Sequence, residues 1–288
     1  MNLNSSKSPK KLNLLSGIPN TSITRHKENN FMSTNSAQLI TQLKSLKLSG
    51  MADTLELRLM EAQGNNLSFS EFLSMVITDE LQTRSNRKLQ RLLSHAHADP
   101  SKTLEAFDFS FNPSINATVI RELATCRFIE KGENIFFLGP TGTGKTHLAK
   151  AIAHMACRKH LNVEYFNFQE LFRLLSQADL VNSLDKKLRP LNRTDLLILD
   201  DFAFKKLDQQ SAEYLYAIVD ARYPSKSTIL SSNRAITDWH AIFPDPVMDN
   251  ALMDRLAHNA HQISIKGESY RKNLSPKSQN LNSKKSVN

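Results

Sequence analysis

The chain has little of what marks several protein classes. Of 288 residues only two are cysteine, Cys126 and Cys157, too few for a disulfide scaffold or a four-thiolate zinc site. Eight glycines and ten prolines exclude collagen-like and low-complexity chains. No apolar run is long enough to cross a bilayer. The opening stretch MNLNSSKSPKKLNLLSGIPN carries lysines but no apolar core of signal-peptide length. These absences lead to the expectation of a cytoplasmic protein with no membrane partner. What is present is ordinary globular composition, 40% hydrophobic and 23% charged, enough for one large domain or two modest ones. No internal repeat is evident.

The formal charge is +9, and the two ends carry it: residues 1–34 sum to +4 and residues 271–288 to +5. Both ends are rich in Asn, Ser and Lys, a composition that cannot bury enough apolar surface to order itself, so both read as disordered extensions. Two readings of them stand side by side: solubilising tails, or segments that attract nucleic acid through counterion release. Met32 is an alternative start.

From Ser36 to about Leu93 the apolar spacing is helical, with Leu39, Leu43 and Leu46, then Met51, Leu55 and Leu59. Gly64-Asn65-Asn66 breaks the run. Ser68-Phe69-Ser70-Glu71 is a capping box, opening a long helix whose apolar residues include Phe72, Leu73, Val76, Leu81, Leu89 and Leu92. On that helix Arg84, Arg87, Lys88 and Arg91 fall at i, i+3, i+4 and i+7 and share a face. No acid interrupts them, which favours contact with duplex DNA over a merely solvated face.

Beyond Phe107 the pattern changes. Asn134–Leu138, Val163–Asn167, Leu196–Asp200, Thr228–Ser231 and Gln262–Ile265 read as short strands, mostly separated by helical stretches, which predicts an α/β domain with a parallel sheet. The expected organisation is a basic extension over 1–35, a small all-helical domain over 36–103, an α/β domain over 104–270 and a basic tail over 271–288.

The strongest motif is Gly139-Pro140-Thr141-Gly142-Thr143-Gly144-Lys145-Thr146, a complete phosphate-binding loop between a predicted strand and a helix over His147–His160. Its amides and the helix N-terminus suit the phosphates of ATP. Lys145 is expected to reach the β- and γ-phosphates and Thr146 to ligate Mg²⁺. Some 55 residues on, Leu196-Leu197-Ile198-Leu199 ends in two carboxylates. Ligands bind at the carboxyl ends of such strands, so Asp200 is expected to support the metal and Asp201 to orient or deprotonate a water. No separate second-substrate pocket is legible, which favours hydrolysis over transfer to another acceptor. His95 with His97, and His258 with His261, lack further ligands and read as ordinary histidines. Lys186, Lys187, Arg189 and Arg193 form a basic cluster, either a DNA contact or a solvated loop.

Together with LSSN and Asp254-Arg255-Leu256, these motifs resemble the AAA+ ATPases. LGPTGTGKTHLAKAIAHMAC, DLLILDDF, LSSN, MDRLAHNAH and GESYRK resemble more closely the IstB-like transposition helper proteins of bacterial insertion sequences, relatives of the helicase loader DnaC. The resemblance runs from about Leu39 to Lys272. It implies a five-stranded parallel sheet in the order 5-1-4-3-2. It also implies an ATPase that assembles into an oligomer on duplex DNA and directs a separately encoded transposase to its target. His147, next to the loop, joins the nucleotide-contacting set. Asn233 matches a position that helps hold the attacking water, its plainer alternative being a turn asparagine. Arg255 matches an arginine that reaches an adjacent subunit's γ-phosphate, its alternative being a salt bridge with Asp249 or Asp254. Arg271 is a candidate second sensor. Phe109 is a candidate for the adenine pocket, with an ordinary core role as the alternative.

The chain departs from the family pattern twice. Asp201 stands where many AAA+ proteins have Glu, which predicts slower turnover. Few residues follow the last strand, which predicts an absent or minimal helical lid. Two further readings remain: a loader of a replicative helicase, and an ATP-switched DNA-binding scaffold with little hydrolysis.

Overall fold

A computed structural model describes residues 35–270. The two basic ends, Met32 and Arg271 lie outside the described residues. The described chain divides into two compact units, 35–85 and 86–270. The division falls inside a long helix, where the sequence pattern predicts a boundary at 103/104.

The first unit holds α1 (35–45), α2 (Ser49–Gly64) and the part of α3 (Phe69–His95) before residue 86. Lys47, with φ 60°, turns the chain between α1 and α2, a break that the leucine spacing conceals. Asn66 turns it again after Gly64, as expected. The capping box forms: Ser68 Oγ accepts from the Glu71 amide at 3.3 Å while Glu71 Oε2 accepts from the Ser68 amide at 2.8 Å.

The start of α2 is capped from another helix. Buried Glu80 of α3 accepts from the amides of Gly50 (2.7 Å) and Met51 (3.2 Å), filling two donors that every helix start leaves open. A Cβ at Gly50 would lie 2.7 Å from the Glu80 Cα, so only glycine permits this approach. Arg84 Nε donates to the other Glu80 oxygen at 2.6 Å. That bond, opposed by burial and helped by the two amides, holds the carboxyl below its ordinary range. The unit's core is small. Ala52, Leu55 and Val76 are buried, but Leu39, Leu46, Leu73 and Leu81 are exposed, and Phe69 is 95% exposed. Helical spacing therefore identifies a face here without identifying what covers it.

The second unit contains the remainder of α3, then α4 (Ala117–Leu123), α5 (Arg127–Glu130), β1 (Asn134–Leu138), α6 (Lys145–Arg158), β2 (Val163–Asn167), α7 (Phe168–Leu180), α8 (Leu184–Arg193), β3 (Leu196–Phe202), α9 (Gln209–Arg222), β4 (Ser227–Ser232), α10 (Pro246–Ala257) and β5 (Ala260–Ser264). The five strands are all parallel, in the order β2-β3-β4-β1-β5. This is the 5-1-4-3-2 order implied by the resemblance. The first two strands have the predicted bounds. The third runs two residues further, and the fifth begins two residues earlier than the apolar pattern indicates. Among described residues 265–270, after β5, there is no α-helix.

The central strands are buried on both faces, which is why they read as continuous apolar runs. Along β1, Phe136 and Leu138 enter one core cluster while Ile135 and Phe137 enter the other, the two-residue alternation of a strand. Under one face Phe168, Phe202, Trp239 and Phe136 form a row of tilted ring contacts at 4.5–5.1 Å. Under the other, α6 packs Leu148, Ile152 and Ala156. Both cysteines are buried, and burial pushes each thiol up to about 11.

At the amino end of the sheet, Arg222 is 2% exposed. Its guanidinium donates to the carbonyls of Leu191 (2.5 Å), Thr194 (3.0 Å) and Ser227, and to Thr228 Oγ1 (3.2 Å). One side chain thereby joins the ends of α8 and α9 to the start of β4. Burial lowers its pKa to about 10.

Candidate functional site

At the carboxyl end of the same sheet the chain leaves β1 at Leu138 and enters α6 at Lys145. The intervening loop needs glycine where φ is positive. Gly144, at φ 102°, is the N-cap of α6, and a Cβ there would lie 2.8 Å from the Phe107 ring. Gly139, at φ 147°, passes so near the Ile265 carbonyl that a Cβ would strike it. Thr143 Oγ1 donates to the Pro140 carbonyl at 2.9 Å, closing the loop on itself.

Lys145 is buried, and its ammonium donates to the carbonyls of Gly139 and Pro140, both at 2.7 Å. These partners belong to the loop itself, so the ammonium lies within the curl of backbone that the glycines create. Thr146 Oγ1 donates to Asp200 Oδ1 at 3.1 Å, joining the start of α6 to the end of β3. Ser231 Oγ of β4 also donates to Asp200 Oδ1. Tyr165 Oη of β2 donates to Asp200 Oδ2 at 2.5 Å. Burial, with the adjacent Asp200 charge, pushes the Tyr165 phenol far above its ordinary range.

Asp201 sits at a break in the strand. Its φ is 57°, and the pairing of β3 with β4 shifts register between Leu199 and Phe202. Its amide donates to Ser231 Oγ at 3.2 Å and its carboxylate accepts from Asn167 Nδ2 at 3.2 Å. Asn167 also caps α7, its Oδ1 accepting from the Gln169 amide at 3.1 Å. This bulge keeps both consecutive aspartates at the cavity, where a regular strand would send them to opposite faces.

A cavity of about 570 Å³ gathers these groups. Thr141, Gly142, Thr143, Gly144, Lys145, Thr146 and His147 line it, with Asp200, Asp201 and Asn233 opposite. The neighbouring wall includes Lys102, Phe107, Lys150, Tyr165, Asn167 and Tyr270. His147 is tied to the chain ahead of the sheet: its Nε2 lies 2.8 Å from the Thr103 carbonyl, and its ring meets Phe107 edge-on at 5.0 Å. Tyr270 donates its amide to the Gly142 carbonyl at 2.9 Å.

Two sequence-predicted residues stand elsewhere. The phenylalanine on the cavity wall is Phe107, not Phe109. Asp108 Oδ1 accepts from the amides of Ser110 and Phe111 and turns the chain, and Phe109 packs edge-on behind Phe107 at 4.8 Å. Arg255 lies toward the amino end of the sheet. It pairs with Asp220 at 3.1 Å and stands over the Tyr216 ring at 5.3 Å. Neither anticipated salt-bridge partner holds it, since Asp249 binds His240 at 2.7 Å. A third prediction is qualified: Arg84, Arg87, Lys88 and Arg91 are all exposed, but Arg84 is committed to Glu80. The motifs did not reveal Tyr165, Asn167 or Phe107. Only the position of Asn167 ahead of an apolar helical run signals its capping role.

The arrangement offers a cradle of backbone donors with a buried ammonium, hydroxyl and carboxylate oxygens at one edge, and a second carboxylate beside them. Among the described residues no group of three or more His, Cys, Asp or Glu side chains stands ready to hold a metal by itself, and no helix is long and apolar enough to cross a membrane.

Comparison with known proteins agrees with the motifs. A family model described as IstB-like ATP binding protein matches residues 41–278. An insertion-sequence ATP-binding protein of Mycobacterium tuberculosis is 37% identical over 235 residues, covering 81% of this chain and 94% of that protein. The IS21 ATP-binding protein of Pseudomonas aeruginosa is 36% identical over 81% of this chain and 88% of its own length. Among solved structures, DnaI aligns with a TM-score of 0.51 and 22% identity over 57% of this chain and 90% of that one. The replication initiator DnaA bound to AMPPCP and single-stranded DNA aligns with a TM-score of 0.52 and 22% identity, over 64% and 56%. These two likenesses concern the fold alone. The glycine loop, the strand ending in paired aspartates, the sheet order and the match over most of its length establish that the chain belongs to the IstB-like ATP-binding proteins of insertion sequences.

Proposed function

We propose that this protein is an ATPase that binds duplex DNA, assembles on it as an oligomer and directs a separately encoded transposase to target DNA. The observation that carries this reading is the convergence of the glycine loop, Thr146, Asp200, Asp201 and Asn233 on one cavity.

In this reading the loop amides and the start of α6 receive the phosphates of ATP. Lys145 exchanges the carbonyls of Gly139 and Pro140 for β- and γ-phosphate oxygens. Thr146 and Asp200 fit Mg²⁺: both present hard oxygen donors, they already touch each other at 3.1 Å, and this cation takes few protein ligands when phosphates supply the rest. The chemistry it supplies there is neutralisation of phosphate charge. Asp201 takes a proton from the water that attacks the γ-phosphorus, and the bond to the β-phosphate oxygen breaks. Asn167 steadies Asp201, and Asn233 orients the same water. The short aspartate side chain makes turnover slow. Phe107, with Phe109 behind it, forms the wall beside the nucleotide. Arg271, which follows cavity-lining Tyr270, is the second sensor.

Arg255 serves a neighbouring subunit. It stands toward the sheet end opposite its own loop, so it meets a γ-phosphate only in trans, which requires an oligomer. With Arg84 held by Glu80, Arg87, Lys88 and Arg91 contact DNA phosphates, and the protein works in the cytoplasm with no membrane partner.

ATP turnover measured with and without duplex DNA tests the reading, and stimulation is expected. ATP bound tightly with no turnover under either condition would favour the nucleotide-switched scaffold. Capture of the cognate transposase by the ATP-bound protein is the matching partner test. Capture of a replicative helicase instead would make it a loader. Replacing Arg87, Lys88 and Arg91 together should lower the salt slope of DNA binding by up to about three, near one per phosphate contact. An unchanged slope would remove that face from the DNA contact.

A further inference from the structure

Asp200 is held by three hydroxyl groups from three different elements. Thr146 of α6 and Ser231 of β4 both donate to Oδ1. Tyr165 of β2 donates to Oδ2, at 2.5 Å. Strand β2 pairs with β3 so that Asn167 lies beside Asp200 and Tyr165 beside Ile198. The phenol thus rises from two positions earlier on the strand to reach the carboxylate. Its ring is engaged from one face by Lys150, whose ammonium lies 4.5 Å from the ring centroid. The ammonium thus contacts the aromatic face, and its charge reaches Asp200 at longer range.

We infer that Tyr165 is a positioning residue for the cation site, pinning Asp200 Oδ2 on the β2 side so that Oδ1 is presented in a fixed direction toward Thr146 and the cavity. This rests on the nucleotide-site reading above. The terminal torsion of an aspartate is broad, so a carboxylate held at one oxygen only can rock. A second bond at the far oxygen removes that freedom. The chemical character of the partner matters as well. A lysine or arginine at the same place would neutralise Asp200 and weaken its attraction for a cation, whereas a neutral hydroxyl orients the carboxylate and leaves its full negative charge. Such outer partners orient and tune metal-site groups, and their loss typically costs about 10–100-fold in metal affinity.

Tyr165→Phe isolates the effect, because it removes one oxygen and keeps the ring, its packing and its contact with Lys150. The probes are Mn²⁺, followed by the electron paramagnetic resonance signal of the free ion in the presence of AMPPCP, and Mg²⁺, titrated against binding of a fluorescent ATP analogue. With the full chain, the half-saturating concentration of either cation is expected to rise roughly tenfold. Nucleotide affinity in EDTA and the melting temperature should stay at their wild-type values. An unchanged cation dependence would overturn the inference. So would an equal loss of nucleotide affinity with and without the cation, which would make Tyr165 a general prop of the pocket. If the wild-type protein bound no nucleotide at any cation concentration, the nucleotide-site reading itself would fall.

Discussion

Arg222 and Lys145 are both cations withdrawn from water, at opposite ends of one parallel sheet. Arg222 is wholly committed: two carbonyls at the end of α8, one at the start of β4 and a threonine hydroxyl surround its guanidinium. Lys145 touches two carbonyls of its own loop, beside a cavity of about 570 Å³. The acidic partners across that cavity, Asp200 and Asp201, are held by hydroxyl and amide groups at the tips of rotatable side chains. A buried charge anchored to backbone on several elements acts as a clasp. A buried charge bonded to its own loop beside open space lies where a ligand would sit. In the helical unit, Glu80 belongs with Arg222, since it caps a helix and binds an arginine at once.

Substitutions at the two ends should accordingly separate stability from nucleotide chemistry. The largest effect is expected from Asp201→Asn, with turnover in a phosphate-release assay falling on the order of a thousandfold while ATP-analogue affinity holds. Turnover near the wild-type level would strip Asp201 of its role as base. Arg222→Met should act in the other currency. By stranding three buried carbonyls it should reduce the unfolding free energy in urea by about 3 kcal/mol or more, with no change in nucleotide affinity of the folded protein. A loss below about 1 kcal/mol, the level of a single ordinary hydrogen bond, would show that the clasp is dispensable. Lys145→Ala is the mirror image. Affinity for ATP should fall roughly a hundredfold, as expected for charge-assisted bonds to phosphate, with little change in melting temperature. A comparable loss of stability would place Lys145 beside Arg222 and erase the distinction.

The smallest effect concerns Glu80. Its carboxyl titrates below the ordinary value of 4.5, so its contribution to stability is present above that pH and is lost as the pH falls through the lower native value. Glu80→Gln should flatten this acid limb. Hydrogen-exchange protection of the Gly50 and Met51 amides, followed through the acid range in the full chain, provides the check. Identical acid limbs in both proteins would mean that those amides do not depend on the charge.

The parts of the fold that were legible beforehand are those written in neighbouring residues. The glycine loop is contiguous, and its left-handed positions require glycine wherever the chain occurs. The apolar runs of β1 and β3 reflect burial on both faces, and the Ser68–Glu71 box spans a single helical turn. The misses have the opposite character. Tyr165 and Asn167 reach Asp200 and Asp201 across 35 and 34 residues of chain. Phe107 displaces Phe109 at the cavity because of a local turn at Asp108 that carries no strong motif. In the helical unit, leucine spacing marks the apolar side of each helix correctly, yet Leu73 and Leu81 are exposed, because periodicity describes the helix and not its neighbours.

The residue string by itself determined the phosphate loop, the paired carboxylates and the alternation of strand and helix, since each depends on backbone preferences and burial patterns over a few consecutive residues. Only the tertiary structure decided that Asp220 holds Arg255, that a bulge keeps both aspartates at one cavity, and that three hydroxyls from three elements hold Asp200. Those contacts join segments that come together only when the sheet assembles, and their geometry depends on register and helix placement that no local preference encodes.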